Sequence, residues 1–324
     1  MKIEFASVDD YARQFTDTAF WRPAVERVCQ HHNIHIGTMQ AGLAGTHPVF
    51  LVQNGQQYVI KFYETRFFAG TRSYKVEREL YQWLPDLLPI AIPRLIATGI
   101  LEAFGTWPYI ITTRVPGTSF GQVRQQVDTV GRKALATVLG RTLSQLHRIP
   151  VETSLFLRQL RDEWSEFIRG QYDQCVANHQ RWNTLPNHLI AQIPDYLAKY
   201  EHFGDPQTCC LIHADLTEDH VLGAFQAGQW SVTGLIDFGD AWVGSPLYEL
   251  VALHLSVFQL DKGLLQTFLQ AYTSDTAFYE HFVERAMVAT LLFEFNAFAD
   301  VAEHQEAALK AATLEELADQ IWGL

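Results

Sequence analysis

The sequence has 324 residues and a formal net charge of −12, from 24 lysines and arginines against 36 aspartates and glutamates. Hydrophobic residues make up 48% of the chain and aromatic residues 13%, which is typical of a folded protein with a sizeable core and excludes a largely disordered one. A nucleic-acid partner is not expected, because phosphate backbones are bound by clustered lysine and arginine side chains.

The cysteines and the hydropathy pattern indicate the compartment. Cys29, Cys175, Cys209 and Cys210 have neither the spacing of a zinc site nor that of a disulfide framework. No apolar leader follows Met1, and nowhere do 18 apolar residues run together. We therefore expect a cytoplasmic protein without membrane contact. The sequence leaves the oligomeric state open.

The first part of the chain is predicted to be rich in β-strands. Short helical patterns over residues 8–32 precede a strand at residues 49–52 and a second one at residues 58–62. Asn54-Gly55 stands between these two strands and is a strong signal for a tight hairpin turn. The order of strand, hairpin and strand therefore predicts a small antiparallel sheet.

Two features of this sheet are candidates for phosphate binding. Gly42 and Gly45 lie in the loop before the first hairpin strand, where the absence of a Cβ would let backbone amides approach phosphate oxygens. Side chains alternate along a strand, so Lys61 is expected on the face opposite to Ile60 and Phe62.

A helix over residues 71–84 follows and supplies a candidate carboxylate partner for the lysine. Its apolar positions at helical spacing are Val76, Leu80, Trp83 and Leu84. Glu77 and Glu79 flank this apolar stripe about equally. Periodicity alone therefore cannot choose between the two glutamates.

Beyond the sheet the pattern becomes helical. A strand at residues 109–112 leads through Thr113-Arg114-Val115 into Pro116-Gly117. The segments with helical periodicity that follow are residues 127–147, 156–176, 187–202 and 277–304. In the last of them Glu294 and Asp300 are candidates for contact with a cationic ligand, with ordinary surface acids as the alternative.

Two acidic positions end apolar runs in the middle of this helical half. Asp215 ends the run that begins at Leu211, and Asp237 follows the run 232–236, 22 residues further on (237 − 215). Gly223 and Gly228 are expected to turn the chain back between the runs, so that a hairpin brings both carboxylates to one cleft. Carboxylates seldom end buried strands unless a cation or a reacting group neutralises them.

These residues resemble the catalytic and metal-binding loops of the protein-kinase-like phosphotransferases. His213-Ala214-Asp215 is followed by His220 five residues after Asp215, and then by Ile236-Asp237-Phe238-Gly239-Asp240. Within that group the pattern is most similar to the aminoglycoside and choline kinase family. Most relatives have asparagine at the position of His220, whereas the aminoglycoside 2''-phosphotransferases share both the histidine and the run Ile-Asp-Phe-Gly-Asp.

The resemblance implies roles in nucleotide binding. Lys61 corresponds to the lysine that holds the α- and β-phosphates, and the loop with Gly42 and Gly45 to the one that covers them. The run 76–79 looks like the same helix in aminoglycoside 3'-phosphotransferases, which implies that Glu79 pairs with the lysine. The segment that leads into Pro116-Gly117 resembles the hinge between the lobes, which places a domain boundary near residue 116. Thr113 and Val115 correspond to the backbone positions of this hinge that contact the purine.

The resemblance also implies roles in the chemistry. Asp215 corresponds to the residue that orients the acceptor hydroxyl and takes up its proton. Asp237 and His220 correspond to the ligands of Mg²⁺, and Mn²⁺ is an alternative because an imidazole nitrogen suits softer metals. The alternative for His220 is a hydrogen bond to a metal-bound water or to a phosphate. His213 is expected to support this loop, and Glu249 to brace it.

The resulting prediction is an α+β, two-lobed, protein-kinase-like fold. Residues 1–115 are expected to form a small β-rich nucleotide-binding lobe, and residues 116–324 a larger, mostly helical lobe with the catalytic loop and the acceptor site. The predicted function is transfer of the γ-phosphate of ATP or GTP to a hydroxyl of a small molecule, with an aminoglycoside as one candidate. A kinase of another small hydroxylated metabolite, a non-catalytic nucleotide-binding module and a metallohydrolase using His213, Asp215 and His220 are the alternatives.

Overall fold

The computed structural model describes residues 3–43, 45–102, 104–199 and 208–324. The chain divides into two compact units. Met1–Pro116 and Gly234–Asp240 form the first, called here the sheet unit, and Gly117–Thr233 and Ala241–Leu324 form the second, the helical unit. None of the helices in the described ranges is long and apolar enough to cross a membrane.

The sheet unit contains a five-stranded antiparallel sheet with the strand order β1-β2-β3-β5-β4. Its strands are β1 Thr38–Ala41, β2 Val49–Asn54, β3 Gln56–Phe62, β4 Leu95–Leu101 and β5 Trp107–Thr113. Its helices are α1 Val8–Gln14, α2 Thr18–His31 and α3 Gly70–Leu80. Gly55, with φ 71°, makes the turn of the β2–β3 hairpin, as predicted, because a positive φ suits glycine.

The two faces of this sheet have different neighbours. Ile60 and Phe62 are fully buried in a core that includes Trp21 of α2, whose ring stacks on that of Phe62 at a centroid distance of 5.2 Å. Lys61 lies on the other face and contacts Glu77 of α3. The strand alternation predicted around Lys61 is therefore confirmed.

Residues 234–240 belong to the sheet unit although they come late in the chain. The backbone N–H of Leu235 donates to the carbonyl oxygen of Ala91 at 3.0 Å. A Cβ added at Gly234 would lie 2.1 Å from that same oxygen, so the two backbones approach too closely for any other residue. Further on, Arg72 of α3 donates to the carbonyl oxygen of Gly239 at 3.2 Å.

The helical unit contains most of the helices. They are α4 Phe120–Val123, α5 Thr129–Leu146, α6 Leu155–Trp182, α7 Asn187–Ile190, α8 Ile193–Ala198, α9 Pro246–Ala252, α10 Lys262–Tyr272, α11 Phe282–Leu291, α12 Ala297–Gln305 and α13 Leu314–Trp322. A π-helical turn, Leu253–Val257, continues α9. Residues 200–202, the end of one helix predicted from the sequence, lie outside the described ranges.

Short strands flank the loop that contains Asp215. They are β6 Thr118–Ser119, β7 Cys210–Ile212, β8 Val221–Gln226, β9 Gln229–Leu235 and β10 Trp242–Gly244. The run before Asp215 forms β7, which pairs with β10. The hairpin joins β8 and β9 instead, so the predicted hairpin between the two apolar runs is wrong. Gly228, with φ 83°, lies in the turn of the real hairpin.

The single helix predicted over residues 277–304 is interrupted. It forms α11 and α12, and the connecting residues 292–296 include Phe293 and Phe295. Phe293 is buried, whereas Phe295 is one of the large exposed apolar side chains of the described chain. This interruption places two aromatic rings beside Asp300, which lies in the first turn of α12.

Candidate active site

Lys61 is held by a buried carboxylate, but not by the predicted one. Its Nζ lies 2.9 Å from Oε2 of Glu77, and both side chains are almost completely buried. Glu79 instead contacts the neighbouring Arg78 at 2.7 Å, and its side chain is one third exposed. The expectation that Glu79 pairs with Lys61 is therefore wrong, because α3 turns Glu77 and not Glu79 toward the sheet.

Two tyrosines complete the surroundings of Glu77. Tyr81 donates its hydroxyl proton to Oε1 of Glu77 at 2.7 Å, and Tyr63 donates to Oε2. Burial and the neighbouring Glu77 raise the pKa of both phenols well above the ordinary value, so both remain protonated donors. The Tyr81 hydroxyl also accepts hydrogen bonds from the backbone N–H groups of Asp237 and Phe238, at 3.2 and 3.3 Å.

Asp237 lies close to the same lysine. Its Oδ1 accepts a hydrogen bond from Nζ of Lys61 at 2.7 Å, and its side chain is 36% exposed. Its φ is 64°, a left-handed conformation that a residue with a Cβ adopts at a cost and that is often found at functional positions. Burial lowers the pKa of Lys61, but Asp237 and Glu77 outweigh it, so its pKa lies above the ordinary value and the lysine is charged.

The other predicted nucleotide positions also lie in the sheet unit. Gly42 packs against Val49, so that an added Cβ would lie 3.0 Å from that side chain, whereas Gly45 has open space around it. The N–H of Thr113, at the end of β5, donates to the carbonyl oxygen of Arg94 at 2.9 Å. Val115 is buried. Packing therefore explains the glycine at position 42 but not the one at position 45.

The loop with Asp215 is braced in the helical unit. The backbone N–H of His213 donates to Oε2 of the fully buried Glu249 at 2.5 Å, which is the bracing expected of Glu249. Ala214 has φ 69°, the second non-glycine residue near the site in a left-handed conformation. The N–H of Thr217 then donates to the carbonyl oxygen of Asp215 at 2.9 Å.

His220 has one ring nitrogen engaged by this loop. Its Nδ1 lies 2.5 Å from the carbonyl oxygen of Asp215, so Nδ1 must carry a proton and donate it. In the neutral imidazole, Nε2 then has the lone pair. A hydrogen bond of this kind is what usually orients a metal-ligating histidine. The imidazole nitrogen of His220 in the helical unit and the carboxylate of Asp237 in the sheet unit are each of a type that binds a divalent cation.

The structure gives no support to a zinc site of His213, Asp215 and His220. Within the described ranges, the ligand atoms that lie close enough to share an ion belong to Asp300, Glu303 and His304, within 4.8 Å of one another. The metallohydrolase alternative that uses His213, Asp215 and His220 therefore has no ligand set among the described residues.

A cavity of about 220 Å³ opens beside Asp215 within the helical unit. It is called here the acceptor cavity. Its lining residues are Asp215, Thr217, Val251, Ala252, Leu255, Ser256, Phe293, Phe295, Ala297 and Asp300. The candidate residue Asp300 thus lines the same cavity as Asp215, whereas Glu294 does not.

Three residues of the site were missed from the sequence. Tyr63 and Tyr81 surround Glu77, and Tyr81 stands four residues after Glu77 on one helical face, which is the only local signal for it. Arg124 donates from Nε to Oε2 of Glu218 at 2.8 Å, a contact between residues 94 positions apart. Local patterns carry no signal for such a pair.

Comparison with known proteins identifies the family. The profile of the phosphotransferase enzyme family matches residues 40–282, which is most of the chain. The chain belongs to this family. A curated relative, the lysine-specific demethylase JMJ21 of Arabidopsis thaliana, is 23% identical over 356 residues, and the match covers 78% of this chain. This match spans about 37% of the length of that plant protein.

Solved structures share the fold. The GDP and kanamycin complex of an aminoglycoside 2''-phosphotransferase superposes with a TM-score of 0.65 and 20% identity, covering 93% of this chain and 96% of that one. A streptomycin–ATP complex of a second such enzyme has a TM-score of 0.57 and 20% identity over 83% and 88% of the chains. Macrolide 2'-phosphotransferase MphH from Brachybacterium faecium has values of 0.56 and 18% over 94% and 99%. The predicted α+β, kinase-like fold is confirmed.

Proposed function

We propose that the protein transfers the γ-phosphate of ATP or GTP to a hydroxyl of a small molecule, with Asp215 as the residue that receives the hydroxyl proton. The observation that carries this proposal is the position of Asp215: it follows the strained Ala214, its loop is braced by Glu249, and its side chain lines a cavity. A positioned carboxylate beside a cavity suits general base catalysis.

In this proposal the sheet unit holds the nucleotide. Lys61, oriented by Glu77, would contact the α- and β-phosphates, and the loop with Gly42 and Gly45 would cover them. The backbone of Thr113 and Val115 would contact the purine. The related structures are complexes with GDP and with ATP, which supports a nucleotide ligand here without choosing between adenine and guanine.

Asp237 and His220 are the proposed ligands of the divalent cation. When bound, Mg²⁺ or Mn²⁺ neutralises charge on the phosphate oxygens. His220 would use Nε2, since its Nδ1 donates to the carbonyl oxygen of Asp215. The same hydrogen bond joins the proposed metal ligand to the backbone of the proposed base, so one loop positions both.

The transfer step itself requires positioning more than covalent chemistry. The acceptor oxygen would form its bond to the γ-phosphorus as the bond from that phosphorus to the β,γ-bridging oxygen breaks. Asp215 would receive the hydroxyl proton, and the nucleoside diphosphate would leave with its bridging oxygen. Asp215 would also orient the hydroxyl by accepting its hydrogen bond before transfer.

The acceptor is proposed only as a hydroxylated small molecule. Aminoglycosides are one candidate class, because structural relatives are named as complexes with kanamycin and streptomycin. Macrolides are a second class, because another relative is named as a macrolide 2'-phosphotransferase. These names describe those proteins, whose identity to this chain is 20% or lower.

The test is the substitution Asp215→Asn, assayed for nucleotide turnover with a panel of hydroxylated acceptors and for nucleotide affinity by calorimetry. Loss of a general base typically lowers the rate by about 10²- to 10⁴-fold. We expect that loss with nucleotide affinity unchanged within a few-fold. Asp219→Asn is the matched control, because Asp219 is in the same loop but accepts from Ser119 and does not line the cavity. Full turnover by Asp215→Asn would refute the proposal.

A further inference from the structure

The size of the acceptor cavity limits what enters it. Its volume is about 220 Å³. A protein cavity of about 150 Å³ is large enough for benzene, and whole drug-sized ligands occupy about 300–1,000 Å³. The acceptor cavity therefore has room for one ring-sized group, while the rest of a larger molecule would remain outside it.

The walls of the cavity are mainly apolar. Val251 and Leu255 line one part, and Phe293 and Phe295 line another, with their ring centroids 5.7 Å apart. Phe295 is 47% exposed, so its ring is available for contact with a ligand. An ammonium group placed against Val251 and Leu255 would lose water without gaining a hydrogen bond, which is unfavourable.

One carboxylate besides Asp215 lines the cavity. Asp300 comes from α12, and its partial burial raises the pKa of the carboxyl above its ordinary value. A partly desolvated carboxylate of this kind is stabilised by a cation. The remaining polar groups of the lining are the hydroxyls of Thr217 and Ser256, which are neutral.

The floor of the cavity is fixed by hydrogen bonds. Leu255 and Ser256 belong to the π-helical turn after α9, and π turns are frequent at functional sites. Arg124 donates to the carbonyl oxygens of Ser256 and Val257 at 2.8 and 2.9 Å. The backbone N–H of Glu218 donates to Oγ of Ser256 at 3.2 Å. The cavity is therefore largely preformed.

We propose, on the basis of the function proposed above, that the acceptor inserts a ring-sized group that carries the reacting hydroxyl, one apolar face and one cationic amine. The hydroxyl would face Asp215, the amine would pair with Asp300, and the apolar face would pack on Phe293 and Phe295. A sugar with several ammonium groups matches this cavity poorly, because Asp300 is the only carboxylate besides Asp215 among the described residues that line it.

The experiment uses simple probes: the 2-, 3- and 4-aminocyclohexanols, cyclohexanol without an amine, and kanamycin as a polyamine. Binding to the whole protein is measured by calorimetry, and transfer by phosphorus NMR of the phosphoester. We expect at least one aminocyclohexanol to bind more tightly than cyclohexanol and kanamycin. Kanamycin as the best ligand, or equal binding of cyclohexanol, would overturn the inference.

Substitutions then locate the amine. Asp300→Asn is expected to weaken binding of the preferred aminocyclohexanol by roughly 10- to 100-fold, as for a hydrogen bond to a charged group, and to leave cyclohexanol unchanged. Glu303→Gln removes an exposed acid on the same helix, outside the lining but within 4.8 Å of Asp300. It should weaken binding of the aminocyclohexanol far less than Asp300→Asn does and leave cyclohexanol unchanged. Equal effects of both substitutions would show that the amine responds to the combined negative charge of this helix or to an ion bound there. That result would overturn its assignment to Asp300. Binding that depends on Asp300 without any transfer would refute the proposed function alone.

A second inference rests on a different observation, the double role of the Tyr81 hydroxyl. This hydroxyl donates to Glu77 at 2.7 Å and accepts from the backbone N–H groups of Asp237 and Phe238 at 3.2 and 3.3 Å. The Tyr81 ring also meets that of Phe238 edge-on at a centroid distance of 6.2 Å. Tyr81 thus connects Glu77, the partner of Lys61, to the backbone of Asp237 through hydrogen bonds.

We infer that Tyr81 is a positioning residue for Asp237. The φ of 64° at Asp237 is unfavourable and needs support from its surroundings. Tyr81 provides this support by accepting hydrogen bonds from two consecutive N–H groups. Tyr63 donates to the same glutamate but makes no such contact with the backbone of Asp237, which makes it the matched control.

The experiment compares Tyr81→Phe with Tyr63→Phe by amide hydrogen exchange and by titration of activity with Mg²⁺ and Mn²⁺. In Tyr81→Phe we expect the amides of Asp237 and Phe238 to exchange about tenfold faster, as for the loss of a hydrogen bond, and the half-saturating metal concentration to rise. In Tyr63→Phe we expect the exchange of these two amides to be unchanged, because both backbone hydrogen bonds to Tyr81 remain. Equal exchange rates in the two variants, or an unchanged metal requirement in Tyr81→Phe, would contradict the inference.

Discussion

Lys61 is a buried ammonium group between two carboxylates, 2.9 Å from Glu77 and 2.7 Å from Asp237. Burial of a charge costs several kcal/mol unless charged partners and hydrogen bonds compensate it. Glu77 also accepts hydrogen bonds from the hydroxyls of Tyr63 and Tyr81, so each residue of this buried cluster has partners. Removal of one member should therefore change the energetics of the others.

A double-mutant cycle on Lys61→Ala and Glu77→Ala tests this dependence. We expect each single substitution to lower kcat/KM for the nucleotide and the pair to be non-additive by about 0.5–3 kcal/mol, because both act through one ion pair. Glu79→Ala is the control, and its effect should add independently, since Glu79 contacts Arg78. Additivity for Glu77 together with coupling for Glu79 would reverse the assignment.

The sequence alone does not determine whether Glu77 or Glu79 pairs with Lys61. Both flank the apolar stripe of α3, so periodicity left them equal, and the resemblance to related helices selected the wrong one. The choice depends on the rotation of α3 against the sheet. That rotation is fixed by long-range packing such as the contact of Ser73 with Gly239, where an added Cβ would lie 3.1 Å from Cβ of Ser73. Lys61, by contrast, was placed correctly by strand alternation, which is local.

At the scale of elements, α5 and α10 pack closely in the helical unit. A Cβ added at Gly140 of α5 would lie 2.5 Å from the carbonyl oxygen of Phe268 and 3.0 Å from Cβ of Ala271. The first distance is shorter than any real contact, and a backbone carbonyl cannot move aside as a flexible side chain can. Gly140 is thus required for the close approach of the two helices.

Gly140→Ala is therefore expected to lower the free energy of unfolding by about 1–3 kcal/mol, as for an overpacked core. Gly170→Ala in α6 is the matched control, because that position is also inside a helix but an added Cβ meets nothing within 4 Å. There alanine should raise stability by about 0.5–1 kcal/mol through helix propensity. Urea unfolding of both variants measures the difference, and a stabilised Gly140→Ala would contradict the packing argument.

The last helix is joined to the π-helical turn by a buried histidine. Nε2 of His254 lies 2.9 Å from the carbonyl oxygen of Ile321, and its ring lies 4.7 Å from that of Trp322. Burial lowers the pKa of His254 to about 4. Between pH ~4 and ~6.5, His254 is therefore neutral in the folded protein, whereas the unfolded chain, in which its pKa is about 6.5, binds a proton there.

The contribution of His254 to the free energy of unfolding is therefore expected to be fully present above pH ~6.5. It should fall as the pH drops toward ~4, because the unfolded state binds more protons between these pH values. His254→Gln retains a side-chain N–H for the carbonyl oxygen of Ile321 but does not titrate. We expect it to be less stable than the wild type at pH 7 and to lose less stability between pH 7 and pH 5. Urea midpoints at the two pH values measure this. Parallel losses would assign the acid sensitivity to other groups.

The elements themselves were predicted unevenly. The β2–β3 hairpin has its own turn residue, Gly55, and was found from the sequence. Pairing of β7 with β10 joins residues about thirty positions apart and leaves no local pattern, so a hairpin between the two apolar runs was predicted instead. The interruption between α11 and α12 was also missed, because the segment is apolar nearly all round and has no proline or glycine to mark it.

At the scale of the whole molecule, the two units are not two consecutive stretches of sequence. The chain leaves the sheet unit after Pro116, returns for Gly234–Asp240 and leaves it again. The division at residue 116 was predicted from the resemblance of the segment before Pro116-Gly117 to an interlobe hinge, which marks one crossing. The return of residues 234–240 depends on contacts of Gly234 with Ala91 and of Gly239 with Arg72. The composition of the sequence does not change at this segment, so it could not be recognised from composition.

A fragment of residues 1–116 should therefore be locally defective. It lacks the Phe238 ring and the Asp237 carboxylate, which contact Tyr81 and Lys61. By hydrogen exchange we expect the amides of α3 to exchange at least about tenfold faster than in the full chain, and those of β2 to change less. If the fragment does not fold, Phe238→Ala in the full chain gives the same comparison. Equal protection of α3 and β2 would show that the returning segment contributes nothing to this unit.

This returning heptapeptide has a consequence for recombination within the family. A chimaera made by one crossover near residue 116 would combine the sheet of one parent with a seven-residue insert from the other, and Lys61 would then face a foreign Asp237 loop. Functional exchange of nucleotide preference between relatives should need two further crossovers, at 233/234 and 240/241, so that the sheet and its heptapeptide are inherited together. Parents differing around Ala91, Arg72 and Tyr81 should tolerate the single crossover least.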